Sequence, residues 1–527
     1  MSITTALILA FVAGFAYFSR RFFGDWYLER PIIIGPIVGL IMGDMETGLI
    51  VGGTLELIFM GAVDIGGAPP PNYTIGAVLG TAFAISSGQD VQTALVIAIP
   101  AALVGTLFEI FAKTICSFFV SFAERAAERG STRGISFVTH TGNIVHALSY
   151  AIPTFLALAV GAEVVDSIVN AIPAGFENGI KVAGNMLPAL GFALLLSTLV
   201  TPLLFPFFFI GFLIAAYMNV GVLGVALFGF LIAIIIQTQF KKSDEAEHIA
   251  AAADEDTGYT DTISKKDLRR IFFRSFAIQS SFSFDRMQAI GFTWGLMPFL
   301  KKVNEGNPEG LKAALKRNLV FFNTHPWTSG PIYAATANLE ARKARGEDIN
   351  EQSIQGLKSS LMGPLAGVGD SLFHGTLRPV MGGVCAALAL QGNPIAPLLF
   401  FLSVNAVHVV VMWFLLQKGY TLGNRVIGML AAGKLKKAME GAAMAGLMAL
   451  GALVATWLSV STSLSYTTEN STLEIQAMLD NILPKMLPLI VTLLVFWLIR
   501  KRVKTISIML GIIVVGILLG SLNILAG

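Results

Sequence analysis

The chain has 527 residues, of which 54% are hydrophobic and 13% charged, with a formal net charge of +3. A chain this apolar cannot cover itself with a polar surface unless lipid replaces much of the water, so a polytopic membrane protein is expected and an ordinary soluble domain is excluded. The small net charge, carried in short basic clusters, argues against a nucleic-acid partner, and two distant cysteines, Cys116 and Cys385, form neither a disulfide framework nor a zinc-ligand spacing.

The first apolar stretch, from Ala6 to Phe18, lacks a basic region before it and a small-residue cleavage site after it. It reads as a retained membrane segment, not a signal peptide. Between Pro31 and Phe83 the chain is apolar but repeatedly broken by glycine and proline, as re-entrant or discontinuous helices are where they line a cavity. Spans of about the 20 residues that cross a bilayer are predicted at Gln92 to Phe119, Ala147 to Ala171, Leu187 to Tyr217 and Val220 to Phe240. The run from Lys241 to Lys266 is polar and acidic in its middle, which predicts a solvated, flexible linker at about residues 243–262.

After the linker, Lys265 to Phe276, Gly310 to Phe322 and Thr336 to Arg345 alternate apolar and basic faces at helical spacing, predicting amphipathic helices at the membrane surface. Apolar spans resume at Val380 to Leu390, Ala396 to Leu415, Ala442 to Val460, Leu487 to Leu498 and Ile506 to Leu525. Basic clusters at Arg125 to Arg133, Lys241-Lys242, Lys265 to Arg274, Lys434 to Lys437 and Arg500 to Lys504 mark cytoplasmic loops by the positive-inside rule. The fold expected is an all-α polytopic membrane protein of two helical units, with discontinuous Gly-rich helices and amphipathic cytoplasmic-side helices. The units are residues 1–242 and 263–527.

Two glycine-rich stretches carry charges inside this apolar chain, Gly43 to Asp64 and Leu361 to Pro379. A charge at the centre of a membrane helix costs about 2.5 to 3.5 kcal/mol, so Glu56, Asp64, Asp370 and Arg378 need partners or water. Glu56 follows Gly52, Gly53 and Thr54, and a carboxylate there is either a bidentate acceptor for sugar hydroxyls or an acid neutralised by a fixed cation such as Arg378. Asp64 and Asn72 bracket a Gly-Gly-Ala-Pro-Pro-Pro turn, which suits a pocket mouth or ordinary capping. His325 lies in FFNTHPW, and Asp370 and His374 have the i, i+4 spacing that puts both on one helix face, as a structural pair or as site residues. No GxxxxGK[ST] phosphate loop and no soluble α/β stretch occur, so any phosphate chemistry must come from a partner.

The residues LERPIIIGPIVGLIMGDMETGLIVGGTLELIFMG resemble the membrane IIC component of the mannose, fructose and sorbose family of the bacterial phosphoenolpyruvate-dependent sugar phosphotransferase system. SKKDLRRIFFRSFAIQSSFSFDRMQAIGFTWGLMPFLKK, FFNTHP and LMGPLAGVGDSLFHGTLRP resemble its IID component. The family usually carries these components on separate chains. Its IID opening usually has Asn-Tyr or Asn-Phe before Glu-Arg, where this chain has Ser283-Phe284-Asp285-Arg286.

The resemblance implies a permease of the bacterial inner membrane that moves a hexose or (N-acetyl)hexosamine inward, coupled to its phosphorylation. It implies separate IIA and IIB proteins as carriers of the phosphoryl group, no cofactor on this chain, and assembly as a homotrimer with a mobile transport unit. By the same match Thr54, Glu56, Asp64 and Asn72 are the first substrate-binding candidates, followed by His325, Asp370 and His374. The GAPPPN turn and FFNTHP lean toward the galactosamine or N-acetylgalactosamine branches. Two other classes remain open on the residues alone, an ion-coupled sugar transporter protonated at Glu56 or Asp64 and a membrane scaffold or receptor for cytoplasmic proteins.

Overall fold

The computed structural model describes residues 1–62, 70–88, 91–170, 177–239, 263–422, 434–468 and 471–526. The 243–262 segment and Asp64 lie outside the described residues.

The fold is almost wholly helical, as the apolar periodicity requires. Helix α1 (Ile3–Phe23) is followed by two short antiparallel helices, α2 (Pro31–Met42) and α3 (Met45–Phe59), then α4 (Tyr73–Ser87). At 12 and 15 residues, α2 and α3 are too short to cross a bilayer, so the expected discontinuous helices are a helical hairpin. Gly43 makes the turn at φ +87°, and the Asp44 side chain caps α3 by accepting from Thr47 N at 3.0 Å. The two helices touch backbone to backbone, since a Cβ on Gly35 would lie 2.4 Å from Gly48 O.

The predicted spans near 92–119 and 147–171 are the inner parts of longer helices, α5 (Val91–Glu128) and α6 (Thr132–Asn170). Each of about 38 residues measures roughly 57 Å at 1.5 Å per residue, longer than a bilayer core, and the extra turns project beyond it. The single span drawn from Leu187 to Tyr217 is instead two helices, α8 (Pro188–Leu199) after the short α7 (Glu177–Met186), and α9 (Phe205–Met218). Proline at 202 disfavours a helical conformation at Thr201, and Pro206 starts the next helix, so hydropathy runs on while the helix does not. Helix α10 (Val222–Gln239) closes the first half.

The second half opens with α11 (Lys265–Ser275), which has a capping box in which Ser264 and Asp267 bond reciprocally. Helices α12 (Ala289–Val303), α13 (Pro308–Asn318), α14 (Gly330–Ala344) and α15 (Glu351–Gly369) follow. With the turn between α5 and α6 they build a cap around Phe292, Phe322, Tyr333 and Leu300. The cap carries the basic clusters at Arg125 to Arg133 and Lys265 to Arg270, which places it on the cytoplasmic side. Inside it Arg317 makes a two-toothed pair with Glu340 (3.0 and 2.7 Å). Lys358 is fully buried, donates to Asn318 O at 3.0 Å and lies over the Phe292 ring, and burial pushes its ammonium down to about 7.

A π-helical segment, Asp370–Leu377, joins α15 to α16 (Arg378–Leu390), so the second glycine-rich stretch is also an irregular helix. Helix α17 (Ile395–Leu422) runs back to the cap, where Gly419 meets Pro331 of α14. Helices α18 (Lys434–Trp457), α19 (Ile475–Ile482), α20 (Met486–Arg500) and α21 (Thr505–Ser521) complete the chain, with a 77° bend between α19 and α20. Two small antiparallel pairs join Ser461–Thr462 to Leu525–Ala526 and Ser465–Thr468 to Ser471–Glu474.

The two halves share one membrane core. Phe208 and Phe212 of α9 pack with Met448 and Leu447 of α18, and α7 packs on α21. Gly211 and Gly451 bring the two backbones together, since a Cβ on Gly211 would lie 2.0 Å from Met448 O and one on Gly451 2.1 Å from Phe208 O. A second seam ties α1 and α6 to residues 276–283: Gln279 donates to Asp25 (2.8 Å), Asn143 to Ser280 (2.9 Å), and His146 Nε2 lies 3.0 Å from Phe282 O. Ser283, at the unusual opening, is buried and accepts from Arg286 N at 3.3 Å.

Candidate functional site

The motif Glu29-Arg30-Pro31 starts the hairpin. Proline at the first helical position orders α2 and makes Arg30 its N-terminal flank, so the guanidinium folds back against α3. There Arg30 Nε reaches Glu56 Oε1 at 3.0 Å and Oε2 at 3.2 Å, and Nη2 reaches Oε1 at 2.5 Å and Phe59 O at 3.2 Å. Ile32 N also donates to Glu56 Oε2 at 3.4 Å. Both side chains are fully buried, and the Arg30 guanidinium sits 4.5 Å over the Tyr73 ring. The fixed cation for Glu56 is therefore Arg30, not Arg378. Arg378 comes in from the other half, donates to Met60 O at 2.9 Å and lies 5.9 Å from the Tyr27 ring. Gly382 leaves room beside the pair, since a Cβ there would stand 3.3 Å from Glu56 Oε1.

On the other side of Tyr27 lie the histidines. His325 accepts from Trp327 N through Nδ1 at 3.2 Å, and its ring rests on Gly369, where a Cβ would come within 2.3 Å of the imidazole. The His374 ring is 4.5 Å from that of His325, and His374 Nδ1 lies 3.3 Å from Asp370 Oδ1. The i, i+4 spacing thus brings Asp370 and His374 together, and the fold adds His325 from 45 residues upstream in sequence. One ligand-type atom from each lies within 4.8 Å of the others. Asp370 has 57% of its side-chain surface exposed while His325 is buried, so the cluster spans from surface to interior. Tyr27 packs on Trp327 (5.8 Å) and His374 (6.2 Å), and Trp327 stacks on His408 (4.5 Å).

This region concentrates buried polar atoms that have no hydrogen-bond partner among the described residues. They include Tyr27 OH, both Glu29 carboxylate oxygens, Arg30 Nη1, Arg378 Nε, His325 Nε2 and Trp327 Nε1. Each such atom costs about 1 to 3 kcal/mol if nothing meets it, and here several lie together, donors and acceptors mixed. Glu29 Oε1 lies 3.8 Å from Arg20 Nε.

Other candidates lie elsewhere. Thr54 is two residues from Glu56 and so on another face of α3. It bonds Ile50 O at 2.8 Å and lines a separate cleft of about 360 Å³ with Asn185 and Trp457. Asn72 caps α4 by accepting from Ile75 N at 3.0 Å, and its amide donates to Gly105 O at 3.5 Å. Tyr27, Glu29, Arg30, Trp327 and His408 were not among the sequence candidates. A charged Glu-Arg pair opening an apolar helix was the available signal for the first three.

Residues 262–525 match the model of the PTS system mannose/fructose/sorbose family IID component, and residues 3–235 match that of the PTS system sorbose-specific IIC component. The chain belongs to this family. It joins a IIC and a IID component in one polypeptide, a multi-pass permease of the bacterial inner membrane. The mannose-specific EIID component of Escherichia coli (strain K12) is 38% identical over 271 residues, covering 50% of the permease and 96% of that protein. The mannose-specific EIIC component of the same strain is 31% identical over 269 residues, covering 51% of the permease and all of that protein. The fructose permease IID component of Bacillus subtilis (strain 168) is 40% identical over 262 residues, covering 49% and 95%. Family membership removes the grounds for the ion-coupled and scaffold readings.

Proposed function

We propose that the permease binds a hexose-type sugar between its two halves and releases it inward as a phosphorylated product, with the phosphoryl group delivered by a separate IIB protein that IIA recharges. The observation that carries the site is the set of unpartnered buried polar atoms, contributed by residues 27–30 of the IIC part and by His325, Trp327 and Arg378 of the IID part. A sugar presents hydroxyls that both donate and accept, so one ligand meets acceptors on Glu29 and donors on Arg378 and Trp327. Tyr27 and Trp327 supply the apolar ring faces that a pyranose covers.

In this reading Asp370 and His374 sit toward the cytoplasmic cap and His325 deeper. Glu56 acts through Arg30, which it holds in place with bonds to both carboxylate oxygens. Residues 1–242 and 263–527 are the two functional halves joined by 243–262. The chain's own residues bind, orient and dehydrate the sugar, and the phosphoryl-carrying groups are on the partners. By its family resemblance the assembly is a homotrimer, which native mass spectrometry in mild detergent tests directly.

Uptake of labelled mannose, glucose, fructose, sorbose, galactosamine and N-acetylhexosamines into right-side-out vesicles, with and without internal phosphoenolpyruvate and the soluble carriers, tests the function. Accumulation of one sugar as its phosphate only with the full carrier chain is the expected result. Accumulation of free sugar without carriers refutes it.

A further inference from the structure

The far end of α5 sorts its charges by side. In the run Glu124-Arg125-Ala126-Ala127-Glu128-Arg129, the acids turn to the cap, where Glu124 meets Arg286 at 3.0 Å and Glu128 meets Lys316 at 3.4 Å. The arginines, at i and i+4 on one face, have no acidic partner among the described residues and are exposed. Both line a cleft of about 530 Å³ between α5 and α6, whose remaining wall includes Phe119, Phe122 and Phe137 and the hydroxyls of Ser131 and Thr141. Arg125 lies 5.8 Å over the Phe122 ring.

A cation pair above a floor that includes the exposed Phe122 and Phe137 needs an occupant that is anionic at one end and apolar at the other. The apolar end has a path, because exposed Phe111 and Phe118 on α5 and Ile144 and Leu148 on α6 continue away from the arginines along the same two helices. We propose that this cleft is a binding site for an anionic phospholipid of the cytoplasmic leaflet, with the phosphodiester on Arg125 and Arg129 and the acyl chains along α5 and α6. Guanidinium groups bind phosphate oxygens in pairs, and basic pockets beside membrane helices on the cytoplasmic side select anionic head groups. Water alone fits poorly, since most of the wall is apolar. The bound lipid would hold the end of the α5–α6 hairpin, which also supports the cap through Glu124 and Glu128.

The test is native mass spectrometry of the purified full chain, delipidated and titrated with phosphatidylglycerol or phosphatidylethanolamine. Two arginines each contribute about a fivefold preference, so phosphatidylglycerol should be retained about 30-fold better, and R125Q/R129Q should lose that preference while Arg133→Gln keeps it. The wild-type comparison reads the preference without any variant. Equal retention of the two lipids overturns the proposal, as does an unchanged preference in R125Q/R129Q. Displacement of the lipid by millimolar inorganic phosphate, which would mark a simple phosphate site, also overturns it. So does disulfide cross-linking between copies of Phe137→Cys, which would show a second chain covering the cleft.

Discussion

Replacing Glu56 by glutamine separates two roles that the geometry combines. The carboxylate takes three contacts from Arg30 at 2.5 to 3.2 Å and one from Ile32 N, and neither partner side chain reaches solvent. Removing one member of a buried ion pair leaves the other charged and uncompensated, which costs about 3 to 5 kcal/mol. Against a total stability of roughly 5 to 15 kcal/mol, that is a large fraction, and Glu56→Gln should lower the melting temperature by several degrees in detergent. The double variant Glu56→Leu with Arg30→Met removes both charges and should recover most of that loss, because an apolar pair of similar volume is often as stable as the ion pair. Sugar binding measured by calorimetry should remain lost in the double variant, since Arg30 Nη1 is one of the unpartnered site atoms. A Glu56→Gln protein that melts within about 1 kcal/mol of the wild type refutes the reading of the pair. Full sugar affinity in the double variant refutes the placement of Arg30 in the site.

Tyr27→Phe removes a buried hydroxyl with no hydrogen-bond partner among the described residues, so stability should hold or rise slightly while sugar affinity falls by about 2- to 10-fold; paired thermal unfolding and binding measurements check it, and unchanged affinity counts against the site. Lys358 has its ionisation depressed by burial to about 7, below the value of about 10.4 expected of an unfolded chain, so the unfolded state binds more protons between those values. Stability should therefore rise as pH increases from 7 toward 10, with the full cost of the buried charge present below 7. Lys358→Met should flatten that slope by up to a few kcal/mol, and an unaltered pH profile in urea titrations would refute the assignment. Cutting the chain at a protease site inserted near Asp254 should leave the halves co-eluting in mild detergent, because α9 and α18 are packed backbone to backbone at Gly451; separation of the pieces would show that the tether holds them. Gly451→Val should abolish folding of the joined chain, read as loss of a monodisperse peak, since its side chain would need the space of Phe208 O.

The sequence by itself determined the membrane class, the breaks in the first hundred residues, the amphipathic cap helices and the family, because each rests on local signals. Hydropathy, glycine and proline placement, and motif spelling depend on neighbours in the chain. It also paired Asp370 with His374, four residues apart on one helical path. Tertiary structure alone decided the partner of Glu56, which is Arg30 and not Arg378, because the choice depends on how α2 folds back on α3. It moved Thr54 to another cleft and gave Asn72 a capping role, since the residues preceding a motif share its sequence but not its face. It also brought Tyr27 against Trp327 and its neighbour His325, about 300 residues away in sequence, and merged the two halves into one core. Buried polar atoms without partners are visible only when every neighbour is placed, because hydrogen-bond satisfaction is a property of three-dimensional contact and not of composition.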